Sequence, residues 1–228
     1  MNLLSLLVAA FVFLGFGTAF GAEQNIHLFI LSGQSNMEGL DPNLRFTPAV
    51  QKEFGAKNVI VVKDALGGQP IKRWYKNWKP ESGPAPKNNG DLYDRLMSKV
   101  NKAIEGKPIA TITFVWMQGE NDARNSWGGV YEASLRGLFE QLKTDLKRQD
   151  IGFVIGRISD FDLQNKRYPH WTMIRGVQVK VAENYPRAAW VDTDDLNGNN
   201  NDLHYTKDGY KTLGARFAEK AIALVKAQ

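Results

Sequence analysis

Five short runs rich in Val, Ile and Phe recur along this 228-residue chain, at 26–31, 58–63, 109–117, 151–158 and 188–192. Each is of strand length and bounded by Gly, Asn or Asp. Between and after them lie amphipathic stretches of helix length, at 91–104, 130–148, 171–184 and 208–226. In the third of these, Trp171, Ile174, Val177 and Val181 share one helical face. Apolar strands alternating with amphipathic helices leave few solutions. The pattern predicts an α/β fold: a three-layer α/β/α sandwich with a five-stranded, mainly parallel sheet. Ligands of such a sheet bind at the carboxyl ends of its strands.

Composition narrows the chemistry. The chain contains no Cys, which removes disulfide scaffolds, thiolate metal sites and a cysteine nucleophile together. Three histidines remain, His27, His170 and His204. Residues 1–21 carry no charged side chain and close on Ala19-Phe20-Gly21. That reads as a secretory signal peptide, leaving residues 22–228 as one domain. The competing reading, a retained membrane anchor, lacks the flanking Lys or Arg that anchors carry. With no Asn-x-Ser/Thr sequon and no Cys, the expectation is a secreted or periplasmic protein of bacterial type, with no stable membrane association once the leader is cleaved. The net charge of +5 is spread over mixed-charge faces, so no nucleic-acid partner is expected.

The polar signatures sit where the sheet puts its ligand end. The first run leads into Ser32-Gly33-Gln34-Ser35-Asn36-Met37, the second into Gly67-Gly68, and the third into Gln118-Gly119-Glu120-Asn121-Asp122. The last strand leads toward Asp202-Leu203-His204. A serine hydroxyl needs a base to take its proton, and acyl transfer needs donors for the developing oxyanion. Ser35 supplies the hydroxyl, at a strand-to-helix turn that Gly33 permits. The Gly67-Gly68 pair offers an unobstructed backbone donor, and Asn121 a side-chain amide. The imidazole is assigned to His204, just before the last helix.

In this order, Gly33-Gln34-Ser35-Asn36-Met37, Gly67-Gly68, Trp116-Met117-Gln118-Gly119-Glu120-Asn121-Asp122 and the closing Asp202-Leu203-His204 resemble the SGNH hydrolase superfamily. More narrowly, they are similar to its sialate O-acetylesterase-like branch, which includes acetyl xylan esterases of carbohydrate esterase family six. The resemblance runs from about Leu28 to the end. It implies a flavodoxin-like sheet and a cofactor-free, metal-free serine esterase that removes acetyl groups from carbohydrates. By position it makes Ser35 the nucleophile and His204 the general base. Ser35 N–H, Gly68 N–H and Asn121 would then form the oxyanion hole. Members of the branch carry Ser at the Asn121 position, and Gln118 is the alternative third donor.

One position departs from the pattern. The superfamily places Asp three residues before its histidine, where this chain has Asn201. Asp202 could serve through a shifted loop, Glu120 could supply the carboxylate, or the pair could work as a dyad. Substrate contacts are expected from Gln34 and Gln118. Trp74 and Trp127 either stack on sugar rings or pack into their loops. Lys72 and Arg73 are candidate partners for an acidic sugar. The Asn/Asp-rich stretch 192–202 lacks the ligand spacing of a calcium loop. An acetylated carbohydrate is the expected partner, and the oligomeric state stays open. Two other classes fit the motifs: a non-catalytic carbohydrate-binding relative with a degraded triad, and a lipid or aryl esterase of the same superfamily.

Overall fold

A computed structural model describes residues 25–228. The proposed leader lies outside them. Five strands, β1 (Ile26–Gly33), β2 (Val59–Ala65), β3 (Ile109–Met117), β4 (Gly152–Gly156) and β5 (Ala188–Val191), form one sheet in the order β2-β1-β3-β4-β5, every pair parallel. The strands pair in parallel because each connection crosses the sheet with a helix or long loop rather than turning back in a hairpin. The helices are α1 (Ser35–Glu38), α2 (Phe46–Phe54), α3 (Asp91–Ile104), α4 (Glu120–Arg124), α5 (Gly128–Leu146), α6 (Trp171–Glu183) and α7 (Lys207–Lys226). Helices α2 and α7 pack together, with α7 across β3, β4 and β5; α3 lies on β2, and α5 packs with α6, which covers β4 and β5.

Burial follows from this layering. Seven of the eight β1 residues are buried, the reading of a strand covered on both faces. Phe114, Trp116, Phe139 and Phe153 form an aromatic core between β3, β4 and α5, with the Phe139 and Phe153 rings stacked at 3.9 Å. On the other face of β4, Gly156 lets α7 approach; a Cβ there would meet the Phe217 ring at 2.9 Å and the Met117 sulfur at 2.4 Å.

Three local features depart from the sequence pattern. Helix α2 was not expected. Its Pro48 lies in the first turn, where N–H groups have no intrahelical partner to lose. Strand β4 stops at Gly156, and 157–170 becomes a loop pinned by Asp162, whose carboxylate accepts the N–H groups of Lys166, Arg167 and Tyr168. The segment between β2 and α3 is irregular, yet its Trp74 and Trp78 turn inward and are buried. Among the described residues no helix is long and apolar enough to cross a membrane.

The strand order reverses between β1 and β3, because β1 connects outward to β2 and the chain then returns to β1's other side. Such a switch point leaves a crevice at the carboxyl ends of the two strands. Ser35 and the 118–121 segment stand there.

Candidate active site

The crevice is built by one close backbone pass. Gly33 has φ +147°, and a Cβ on it would lie 1.9 Å from the Met117 carbonyl oxygen, so only glycine fits. Gln34 N–H then donates to that carbonyl at 2.9 Å, tying the end of β1 to the end of β3. Ser35 opens α1, so its N–H has no intrahelical acceptor. The Gly67-Gly68 turn presses on it: a Cβ on Gly67 would sit 3.5 Å from Ser35 Cβ. Gly67 N–H is spent on the Glu38 carboxylate at 3.0 Å. Gly68 N–H has no acceptor among the described residues, and the residue takes φ +68°.

These groups line a pocket of about 320 Å³, with walls from Gln34, Ser35, Gly67, Gly68, Glu120, Asn121, Arg124, Tyr168, Leu203 and His204. Of the three histidines only His204 reaches it. His27 packs its ring on Phe54 and bonds Thr111 at 2.8 Å. His170 accepts the N–H of Gly128 at the start of α5 through Nδ1. A larger groove of about 660 Å³ runs along β5 and α7, but it carries neither serine nor histidine. Ser35 Oγ and His204 make no hydrogen bond with each other in this geometry; catalytic hydrogen bonds are often long before substrate binds.

Asn36, fully buried beside Ser35, ties the pocket together. Its Nδ2 donates to Glu120 Oε1 at 2.9 Å and to Leu203 O at 3.1 Å. Its Oδ1 accepts from Tyr210 OH at 3.1 Å and from Tyr205 N–H at 3.4 Å. The two residues flanking His204 are therefore both held by the residue after Ser35. Sequence reading did not single out Asn36, whose only signal was its place in the serine motif.

Beneath the pocket lies a chain of oriented polar groups. Ile158 N–H donates to Gln178 Oε1, and Gln178 Nε2 to Gln118 O. Tyr131 OH reaches Gln118 O at 2.8 Å and Oε1 at 3.0 Å. Gln118 Nε2 contacts Asp122 Oδ2, Gln69 O and Gln34 Oε1. Gln118 is fully buried and not on the pocket wall. Asn121 Nδ2 donates to Gly68 O at 2.7 Å, so it braces the glycine turn.

Two buried carboxyls belong to this layer. Burial pushes Glu120 up, against the pull of the Asn36 hydrogen bond. Burial raises Asp122 to about 7, outweighing its hydrogen bonds from Gln118 and Ile71 N–H, with the Glu120 charge adding to the rise. A carboxyl raised in the folded state stabilises it fully below the unfolded value near 4 and loses that contribution as pH rises through about 7. The stability of the protein relative to an Asp122→Asn variant is therefore expected to fall by about 4 kcal/mol between pH 4 and pH 8. Urea unfolding at the two pH values checks this; a constant difference contradicts it.

Several expected contacts move. Trp74 is buried edge-on against Trp116 at 5.2 Å and offers no face to a sugar. Trp127 packs on Trp78 under the Lys72 ammonium, off the pocket wall. Arg73 is bound to both Asp91 oxygens. Asp202 is exposed and its carboxylate makes no hydrogen bond or ion pair among the described residues. Asn201 is occupied away from the histidine, accepting from Asn197 Nδ2 at 2.5 Å. In the acidic 192–202 stretch, Asp192 and Asp194 pair with Arg157, Asp194 also with Arg175, and Asp195 with Arg216. Among the described residues no three His, Asp or Glu side chains cluster as a metal site.

The family model for carbohydrate esterases, sialic acid-specific acetylesterase, matches residues 38–223, beginning just past Ser35. The chain belongs to this carbohydrate esterase family. No curated protein matches it. Among solved structures, a protein from Arabidopsis thaliana is similar over 87% of this chain and 98% of its own, at TM-score 0.69 and 19% identity. A carbohydrate acetylesterase from Xanthomonas citri is similar over 88% of this chain and 57% of its own, at TM-score 0.65 and 16% identity. NanS is similar over 91% and 99%, at TM-score 0.65 and 13% identity. At such identities the likeness is one of fold. The esterase shares with these structures the architecture that sets Ser35 and residues 118–121 at the switch point.

Proposed function

We propose that this carbohydrate esterase is an exported serine hydrolase that removes O-acetyl groups from a carbohydrate, with residues 1–21 cleaved and 22–228 acting as one domain. The observation that carries the reading is the pocket itself: Ser35 and His204 line it together, beside two backbone N–H groups, those of Ser35 and Gly68, that have no acceptor among the described residues. His204 takes the Ser35 proton as Oγ attacks the acetyl carbonyl, and the sugar oxygen leaves with a proton from His204. Water then repeats the sequence on the acetyl-enzyme. A pocket of about 320 Å³ suits a short acyl group, where a fatty chain needs a longer apolar groove.

Glu120 is the carboxyl assigned to support the base. It lines the pocket with His204, Asn36 bridges it to the histidine segment, and its Oε2 is buried without a hydrogen-bond partner among the described residues. Aryl acetate, aryl octanoate and an O-acetylated sugar test the reading together. The expected result is cleavage of both acetates with octanoate at least ~10-fold slower, and a loss of ~10²-fold or more in kcat/KM for Glu120→Gln with Asp202→Asn within about threefold of wild type. Preference for octanoate moves the protein to the lipid-directed class. Sugar binding without ester cleavage makes it a non-catalytic relative.

A further inference from the structure

The imidazole assigned as base has no anchor of its own. His204 is exposed, and neither of its ring nitrogens makes a hydrogen bond among the described residues. Its place is therefore set by the loop that carries it. That loop is closed at its ends, where Thr206 N–H donates to Leu196 O at 3.0 Å. Asn36 holds it from the pocket, through Leu203 O and Tyr205 N–H. A second hold comes from Asn197 and Asn201, which dock it on residues 159–161. Asn197, 3% exposed, donates from Nδ2 to Asp160 Oδ1 at 3.2 Å and to Asn201 Oδ1 at 2.5 Å. Asn201 Nδ2 in turn faces the carbonyl oxygens of Asp160 at 3.3 Å and Phe161 at 3.5 Å. Carboxylate and carbonyl oxygens only accept, so both amides have one orientation. The platform beneath is firm: buried Trp171 donates its indole N–H to Ser159 O at 2.7 Å and packs on the Phe161 ring at 5.3 Å.

The backbone of Asn201 suits the same task. It takes φ +48°, a left-handed conformation that Asn tolerates better than most side chains, and its N–H donates to Gly198 O at 3.1 Å. Three residues before His204, where the superfamily pattern has Asp, the chain thus carries a side chain whose donor and acceptor are both spent on the loop. We propose that Asn201 is a positioning residue: with Asn197 it docks the histidine loop on residues 159–161 and so sets where His204 stands, while it gives nothing to the imidazole directly. The inference rests on His204 as the base. A displacement of about 1 Å in a reacting group can cost ~10²-fold in rate, so a loose loop slows the reaction without touching the substrate. It follows that Asn201→Asp, which restores the superfamily's residue, harms this enzyme. The carboxylate would face the two carbonyl oxygens that the amide now serves, and would compete with Asp160 for the Asn197 amide.

Asn201→Gly removes the amide and keeps the backbone, since glycine adopts φ +48° without strain. The expected result on aryl acetate is a fall in kcat of ~5–10-fold for Asn201→Gly and ~10-fold or more for Asn201→Asp, with KM within about threefold in both. The acid limb of the kcat/KM profile should stay where wild type has it in Asn201→Asp, because no carboxylate reaches the imidazole. Thermal unfolding shows that each variant is folded; if Asn201→Asp is not, Asn201→Gly decides alone. A merely structural role would lower the melting temperature and leave kcat of the folded enzyme unchanged, so wild-type kcat in folded Asn201→Gly overturns the proposal. Asn201→Asp at or above wild-type kcat, with its acid limb moved upward, also overturns it, since the carboxylate then serves the imidazole. His204→Ala is run alongside: if it keeps turnover, the base assignment fails and the proposal with it. If His204→Ala is inactive while Asn201→Gly keeps wild-type kcat, only the Asn201 role fails.

Discussion

Ser35→Ala is expected to lower kcat/KM on aryl acetate and acetylated sugar by ~10⁴-fold or more, with stability changed by less than about 1 kcal/mol. The size follows from what the hydroxyl does. On the proposed mechanism there is no acyl-enzyme without Oγ, and the two backbone donors can only assist direct attack by water. Stability should hold because Ser35 is half-buried and its side chain makes no hydrogen bond among the described residues. Thermal unfolding separates the two effects. A variant that keeps half its activity removes Ser35 from the reaction.

The second large effect is expected at Asn36. Its side chain spends its donors and acceptors on Glu120 and Tyr205 in buried contacts and on Leu203 and Tyr210 in half-buried ones. Asn36→Ala leaves Glu120 Oε1 without that donor and two backbone groups around His204 without their partner. The cost is about 2–4 kcal/mol of stability, since each unsatisfied buried polar group costs on the order of 1–3 kcal/mol. Activity should fall by ~10²-fold through misplacement of the base, with KM little changed. Asn36→Asp separates position from packing. It keeps the shape but sets an acceptor against the Glu120 carboxyl and the Leu203 carbonyl. Loss is expected to be severe at pH 8 and partly recovered at pH 5, where one carboxyl carries a proton and donates to the other. Urea unfolding and steady-state kinetics at both pH values check this; a variant within twofold of wild type in both contradicts the bridging role.

How far these features could be read before the fold was known depends on the range of the interactions behind them. The five strands were legible because a parallel strand buried on both faces is a continuous apolar run, as β1 and β3 show. That Ser35 and His204 line one pocket was legible because strand ends in this topology carry ligands, and the chain offers only three histidines. Helix α2 was not, since a nine-residue helix with Pro48 in its first turn carries weak periodicity. Trp74 was read both ways. A Trp amid Pro, Gly and Lys looks like a surface residue until the loop folds back against Trp116. Hydrogen-bond direction was least accessible. That Gly67 N–H is spent on Glu38 while Gly68 N–H has no acceptor among the described residues depends on contacts between residues far apart in sequence. So does the support proposed for the base: Asn201 stands at the expected acid position but is held by Asn197, and Glu120 is bridged to the histidine segment by Asn36.

The central claim is that Ser35 becomes covalently bonded during turnover. A serine-directed organophosphonate tests it most directly, because it reacts only with a hydroxyl activated by a base and an oxyanion hole. Digestion and mass spectrometry should find one label per chain, on the peptide bearing Ser35, with activity lost in proportion to labelling. An enzyme that hydrolyses acetyl esters at full rate after exposure with Ser35 unmodified, or that is inactivated by a label on another residue, contradicts the account.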